Sequence, residues 1–135
     1  MKKTITLLFI SLSILSCSNN NDLTTVFYDV TYTVTASNGA TINQIEYLDE
    51  NADRVTLTNV NSPWTINLRI RGGLALEAAA YGDVPYQGEL SITANWKLEG
   101  DSQTNNESES LPNNQPNSII NNGKVEIEGR TLPRE

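Results

Sequence analysis

Trp64-Thr65-Ile66-Asn67-Leu68-Arg69-Ile70-Arg71 settles the fold class. Apolar and polar side chains exchange at every step, and a period of two sends them to opposite faces of an extended strand. Downstream, Gly72-Gly73 predicts a hairpin turn into a fifth strand through Leu74, Leu76, Ala78 and Ala80. The alanines also suit a helix, but the flanking glycines and the short length favour a strand. Tyr81 to Gly88, with Pro85 inside it, reads as a turn-rich crossover. Beyond it Leu90, Ile92, Ala94, Trp96 and Leu98 alternate with Ser91, Thr93, Asn95 and Lys97 in a sixth strand. Upstream, Val26, Tyr28, Val30, Tyr32 and Val34 alternate with Phe27, Asp29, Thr31 and Thr33, and Ser37-Asn38-Gly39 supplies a turn. A second strand passes through Ile42, Ile45 and Tyr47, whose uneven spacing predicts a bulge near Asn43. Asp49 to Asp53 is a loop, and a third strand through Val55 and Leu57 ends at Asn61-Ser62-Pro63.

Six short strands with turn signals about every 8 to 12 residues describe an all-β protein, a β-sandwich over residues 26–100. Residues 101–135 change in character. Ser102 to Asn122 is mostly Asn, Ser, Gln, Glu, Thr and Pro, and such composition buries too little to offset its ordering entropy. Lys124-Val125-Glu126-Ile127-Glu128 resumes the alternation. Two readings stay open there: a seventh strand at a sheet edge over 124–129, or an extended tail.

The first residues carry an address. Lys2 and Lys3 precede an apolar run from Ile5 to Leu15, 11 residues long, whereas a helix spanning a bilayer needs about 20. The run therefore reads as the core of a signal peptide over residues 1–16. Ile14-Leu15-Ser16-Cys17 looks like a bacterial lipobox, in which a small residue lets a peptidase reach the bond and the Cys17 thiol accepts a diacylglycerol. Several acyl chains, each contributing about 0.8 kcal/mol per buried CH₂, hold a protein on a membrane. Residues 17–25 then form a lipidated terminus and polar tether, about 26 Å long if its last eight residues are extended. Processing leaves 119 residues with 16 acidic and 7 basic side chains, a net charge of −9. Such a body gains nothing electrostatically from an anionic membrane. The expected location is the bacterial cell envelope, on the outer membrane, with the lipid as the sole membrane attachment.

Charge and composition also exclude functions. With 9 basic against 16 acidic residues, no surface suits a nucleic-acid backbone. The chain has no His, which removes Ser-His-Asp and Cys-His chemistry and imidazole-bound zinc, and its 1 Cys forms no internal disulfide. Asp49-Glu50-Asn51-Ala52-Asp53 begins like a calcium loop, but Arg54 stands where Gly is required and Val60 where Glu is required, so it reads as a polar loop. Glu77 and Glu89 are not brought together by any motif and read as solvated, not as a glycosidase pair. Trp64 and Trp96 sit in aliphatic alternations and are expected in the core. Tyr81 and Tyr86, in the Gly/Pro-containing segment, are the candidate contacts for a small ligand or glycan. Arg69 and Arg71 share an outward face, where charge discourages edge-to-edge aggregation. No enzyme, cofactor or metal is expected.

Val30-Thr31-Tyr32, Ile45-Glu46-Tyr47-Leu48-Asp49, Asn59-Val60-Asn61-Ser62-Pro63-Trp64, Gly72-Gly73, Tyr81-Gly82 and Gly88-Glu89-Leu90-Ser91-Ile92 together resemble the MmpS family of small, membrane-anchored, extracytoplasmic proteins. The Asn-Val-x-x-Pro-Trp run is the most distinctive piece. The resemblance implies a single immunoglobulin-like β-sandwich of about seven antiparallel strands. It also implies an accessory or binding role, since mycobacterial members partner large resistance-nodulation-division transporters that export lipids and siderophores. The chain departs from the family in carrying a lipobox instead of an N-terminal transmembrane helix, and in lacking paired cysteines near the domain's end. The expected function is that of a non-enzymatic, lipid-anchored accessory or binding module of a membrane transport or envelope complex. The alternative is a glycan-binding or adhesive surface module.

Overall fold

Val30, Tyr32 and Val34 turn one side of the first strand into a buried stripe, while Thr31, Thr33 and Thr35 stay on the other side. In the computed structural model, which describes residues 25–133, this strand is β1 (Phe27–Ser37). It is followed by β2 (Ile42–Leu48), β3 (Arg54–Val60), β4 (Trp64–Arg71), β5 (Ala75–Pro85), β6 (Glu89–Leu98), β7 (Asn105–Pro112) and β8 (Ile119–Thr131). All pairings are antiparallel and form two four-stranded sheets, β4-β1-β6-β7 and β3-β2-β5-β8. The core lies between them. Val30, Tyr32, Val34, Leu90, Ile92 and Ala94 come from the first sheet, and Ile45, Leu76, Ala80, Val84, Val125 and Ile127 from the second.

The expected sandwich is present, and its connectivity is its own. In the immunoglobulin constant-type arrangement the first two strands lie in one sheet; here β1 and β2 lie in opposite sheets. Among the described residues only β2–β3 and β6–β7 are hairpins between sheet neighbours. Gly72-Gly73 does not close a hairpin. Leu74 N–H donates to the Arg71 carbonyl at 3.2 Å and Gly73 has φ 87, a tight turn that carries the chain from β4 in one sheet to β5 in the other. The turn was legible, but its destination depends on which edges are already paired.

Three further differences concern local geometry. No register shift occurs at Asn43: Ile42 faces Val60 and Gln44 faces Thr58 in one continuous register. The irregularities fall instead between β5 and β8, around Leu76/Ala78 and Gly82/Val84. Tyr81 to Pro85 is also not a crossover but the second half of β5, because Val84 and Gly82 point inward and Ile119 to Lys124 pair alongside them.

The polar stretch after Gly100 is part of the sandwich. Asn105–Pro112 pairs along β6 from Trp96 to Glu89, so its order comes from ladder hydrogen bonds, with little apolar burial of its own. Of the two readings open for 124–129 the structure has the strand, within the longer β8 at an edge of the second sheet, and Val125, Ile127 and Leu132 are buried. Asn113, 2% exposed, ties the link between β7 and β8. Its Nδ2 donates to the carbonyls of Val84 (2.9 Å) and Ser118 (3.1 Å), and its Oδ1 accepts from Gln115 N–H and Ser118 Oγ (both 3.1 Å). Across the β7–β8 side, the Glu109 carboxylate accepts the Glu126 N–H at 3.1 Å.

Candidate functional site

The two sheets present very different outer faces. On the second sheet the outward side carries a cluster of charges among uncharged positions. Arg54 bridges Glu77 and Glu46, the latter at 3.5 Å, and Gln44 Nε2 donates to Glu46 Oε1 at 2.6 Å. Lys124 pairs with Glu126 beside them. The Arg54 pairs cross strands and the Lys124–Glu126 pair runs along β8; solvent screens them, so they set surface character more than stability.

The outer face of the first sheet carries a block without charge. Registers across the four strands align its outward side chains in three rows. Thr65, Thr33, Thr93 and Ser108 form the central one, and Asn67, Thr31, Asn95 and Asn106 form the next. Thr35, Ser91 and Ser110 form the third. Rows in a sheet repeat about every 6.7 Å along the strands and about 4.8 Å across them. Several members hold each other in place: Thr31 Oγ1 donates to Asn67 Oδ1 at 2.7 Å, and the hydroxyls of Thr35 and Ser91 lie 2.7 Å apart. Thr33 and Thr65 are 3.3 Å apart.

Charges resume at both ends of this block: Glu89 stands beyond the Thr35 row, and at the other end two pairs close on themselves. Asp29 and Lys97 lie 3.7 Å apart. Arg69 donates to Glu99 through Nε (3.2 Å) and Nη2 (2.7 Å), and its guanidinium lies 3.6 Å above the Phe27 ring. Hydrogen bonding from Arg69 holds the Glu99 carboxyl below the usual carboxylate range. Two open depressions flank Thr31 here. One, of about 460 Å³, is lined by Asp29, Glu50, Asn67 and Arg69; the other, of about 200 Å³, by Asp29, Asn95, Lys97 and Thr104.

The expected site residues fall elsewhere. Cys17, with the signal segment and most of the tether, lies outside the described residues. Tyr81 is half-buried in the charged outer face, between Gln44 and Lys124, while Tyr86 is 44% exposed at the turn after β5. They belong to different surroundings: one to a strand body, the other to a loop. Trp96 is 7% exposed, and Trp64 is half-buried with its ring 5.6 Å from that of Tyr47, so both pack as expected. Glu77 and Glu89 lie in opposite sheets. The Asp49 carboxylate accepts the N–H groups of Asn51 (2.8 Å) and Asp53 (3.0 Å), which closes the β2–β3 loop on itself. Among the described residues no group of acidic or sulfur side chains is placed to hold a metal ion, and no helix is long and apolar enough to cross a membrane. The threonine rows went unrecognised as a site because only pairing brings four separate strands into register.

A β-sandwich with an uncharged block on one outer face is a scaffold for surface contacts, and the comparison with known families assigns it to a class of envelope-associated membrane proteins. The family model described as "Mycobacterium membrane protein" matches residues 3–110. The chain belongs to this family, the MmpS family. The match ends within β7, so β8 lies beyond it. No curated protein matches the chain.

Proposed function

We propose that the protein is a non-enzymatic module of the cell envelope, attached to the outer membrane by lipid on Cys17, that serves a membrane transport or envelope complex as an accessory or binding partner. The family match over residues 3–110 carries this reading. The lipobox Ile14-Leu15-Ser16-Cys17 supports the mode of attachment. The non-enzymatic reading is supported by Glu46, Glu77 and Glu99, each of which is engaged with an arginine on a strand face.

Metabolic labelling with palmitate tests the anchor. The full chain is expected to incorporate label and Cys17→Ala to lose it; an unlabelled parent chain removes the anchor from the reading. Mild detergent extraction followed by affinity purification tests the partnership. Recovery of a stoichiometric membrane complex is expected, and recovery of the protein alone from several mild detergents counts against it. A second reading, a glycan-binding or adhesive surface module, is favoured by the uncharged rows on the first sheet.

A further inference from the structure

We infer that the outer face of sheet β4-β1-β6-β7 is the docking surface for a neutral polysaccharide, which lies across the threonine and asparagine rows. The inference deepens the second reading above and rests on it.

The first argument is charge. The chain is 19% charged, so eleven positions at that composition would carry about two charges. The three rows carry none, although the sequence holds 16 acidic and 9 basic residues and the opposite face displays several of them. An anionic polymer would find no cation in the rows and would approach an acidic protein. Beyond the rows Arg69 is paired with Glu99 and Lys97 with Asp29, while Arg71 lies one row further out.

The second argument is chemistry. Protein interface centres are enriched in aromatic residues, Met and Arg and depleted in Ser, the reverse of these rows. Hydroxyls donate and accept, and an Asn amide offers two donors and an acceptor. That inventory replaces the water around a polyhydroxylated chain without leaving polar groups unpaired. The row Asn67, Thr31, Asn95 and Asn106 crosses the whole sheet, about 14 Å over three strand spacings, with a depression on either side of Thr31.

The third argument is order. The Thr31–Asn67 and Thr35–Ser91 contacts pre-set the rotamers, so little side-chain freedom remains to be lost on binding. Individual contacts are weak, and a polymer gains by engaging successive positions along its length.

Affinity electrophoresis of the detergent-solubilised full chain tests this in native gels cast with dextran, laminarin or galactomannan, and with alginate as the anionic counterpart. At least one neutral polymer is expected to retard the protein and alginate to leave it unchanged. Asn67→Ala/Asn95→Ala should weaken the retardation fivefold or more. Thr33→Val/Thr93→Val, which keeps side-chain shape, should weaken it as well, with the thermal unfolding of both variants checked alongside. No retardation in any neutral gel overturns the inference, and so does equal retardation in alginate. If binding survives both row variants and is lost in Tyr81→Ala/Tyr86→Ala, the rows are excluded while glycan binding stands. The accessory role is read separately, by co-purification.

Discussion

Tyr32 concentrates the tension between packing and polarity in this core. Its ring sits fully buried, 6.4 Å from the ring of Tyr47, yet its hydroxyl makes no hydrogen bond of full geometry, the Glu77 backbone being its one near polar neighbour. A buried orphan hydroxyl is a net burden of about 1–3 kcal/mol, and removing it while keeping the ring is neutral or stabilising. Tyr32→Phe is therefore expected to stabilise the protein by about 1 kcal/mol, read from the urea midpoint at constant m-value. A loss of stability of similar size would mean that the hydroxyl is satisfied after all. Burial pushes the Tyr32 pKa up to about 12, from an ordinary 10.0. Above pH 10 the unfolded chain gives up this proton while the folded protein keeps it. Stability therefore falls between about pH 10 and 12, and Tyr32→Phe should flatten that part of the profile. The alternation at residues 26–34 was enough to place Tyr32 inside; nothing in the sequence marked its oxygen as short of a full hydrogen bond, because that depends on what the opposite sheet brings near it.

At the level of single elements, β5 and β8 show how local irregularity follows from close approach. Gly82 faces Gly123 across the pair, next to a register shift. A Cβ on Gly82 would lie 1.9 Å from the Thr41 carbonyl oxygen, so the segment entering β2 can pack there only against a bare backbone. Gly82→Ala is expected to destabilise by about 3 kcal/mol through overpacking against an immovable backbone atom. Gly100 is the control: its φ is +86 and nothing lies within 4 Å of an added Cβ, so Gly100→Ala carries only the left-handed backbone penalty of about 1–2 kcal/mol. Equal losses in the two variants would refute the close contact at Thr41. Strand positions were largely readable because alternation is a local property, as at β4 and β6. The extension of β5 through Tyr81-Gly82-Asp83-Val84-Pro85 was not, since glycine and proline there look like turn signals until β8 is seen beside them.

For the molecule as a whole, the C-terminal third completes the fold. β8 covers Leu76, Ala78, Ala80 and Val84, each at most 1% exposed, and supplies Val125 and Ile127 to the same interior. Ending the chain after residue 118 is expected to abolish the cooperative thermal transition followed by circular dichroism. A truncated protein that unfolds cooperatively at the parent midpoint would show instead that 119–133 is dispensable. Periodicity alone was sufficient for an all-β chain and for the inward set of side chains, because each depends on neighbours a few residues apart. It could not say that β4 borders β1 instead of β5, that Asn105–Pro112 is held by the ladder of β6, or that threonines and asparagines from four strands share one face. Those are long-range facts: hydrogen bonding is available to any exposed strand edge, and only packing two sheets around one interior selects which edges meet.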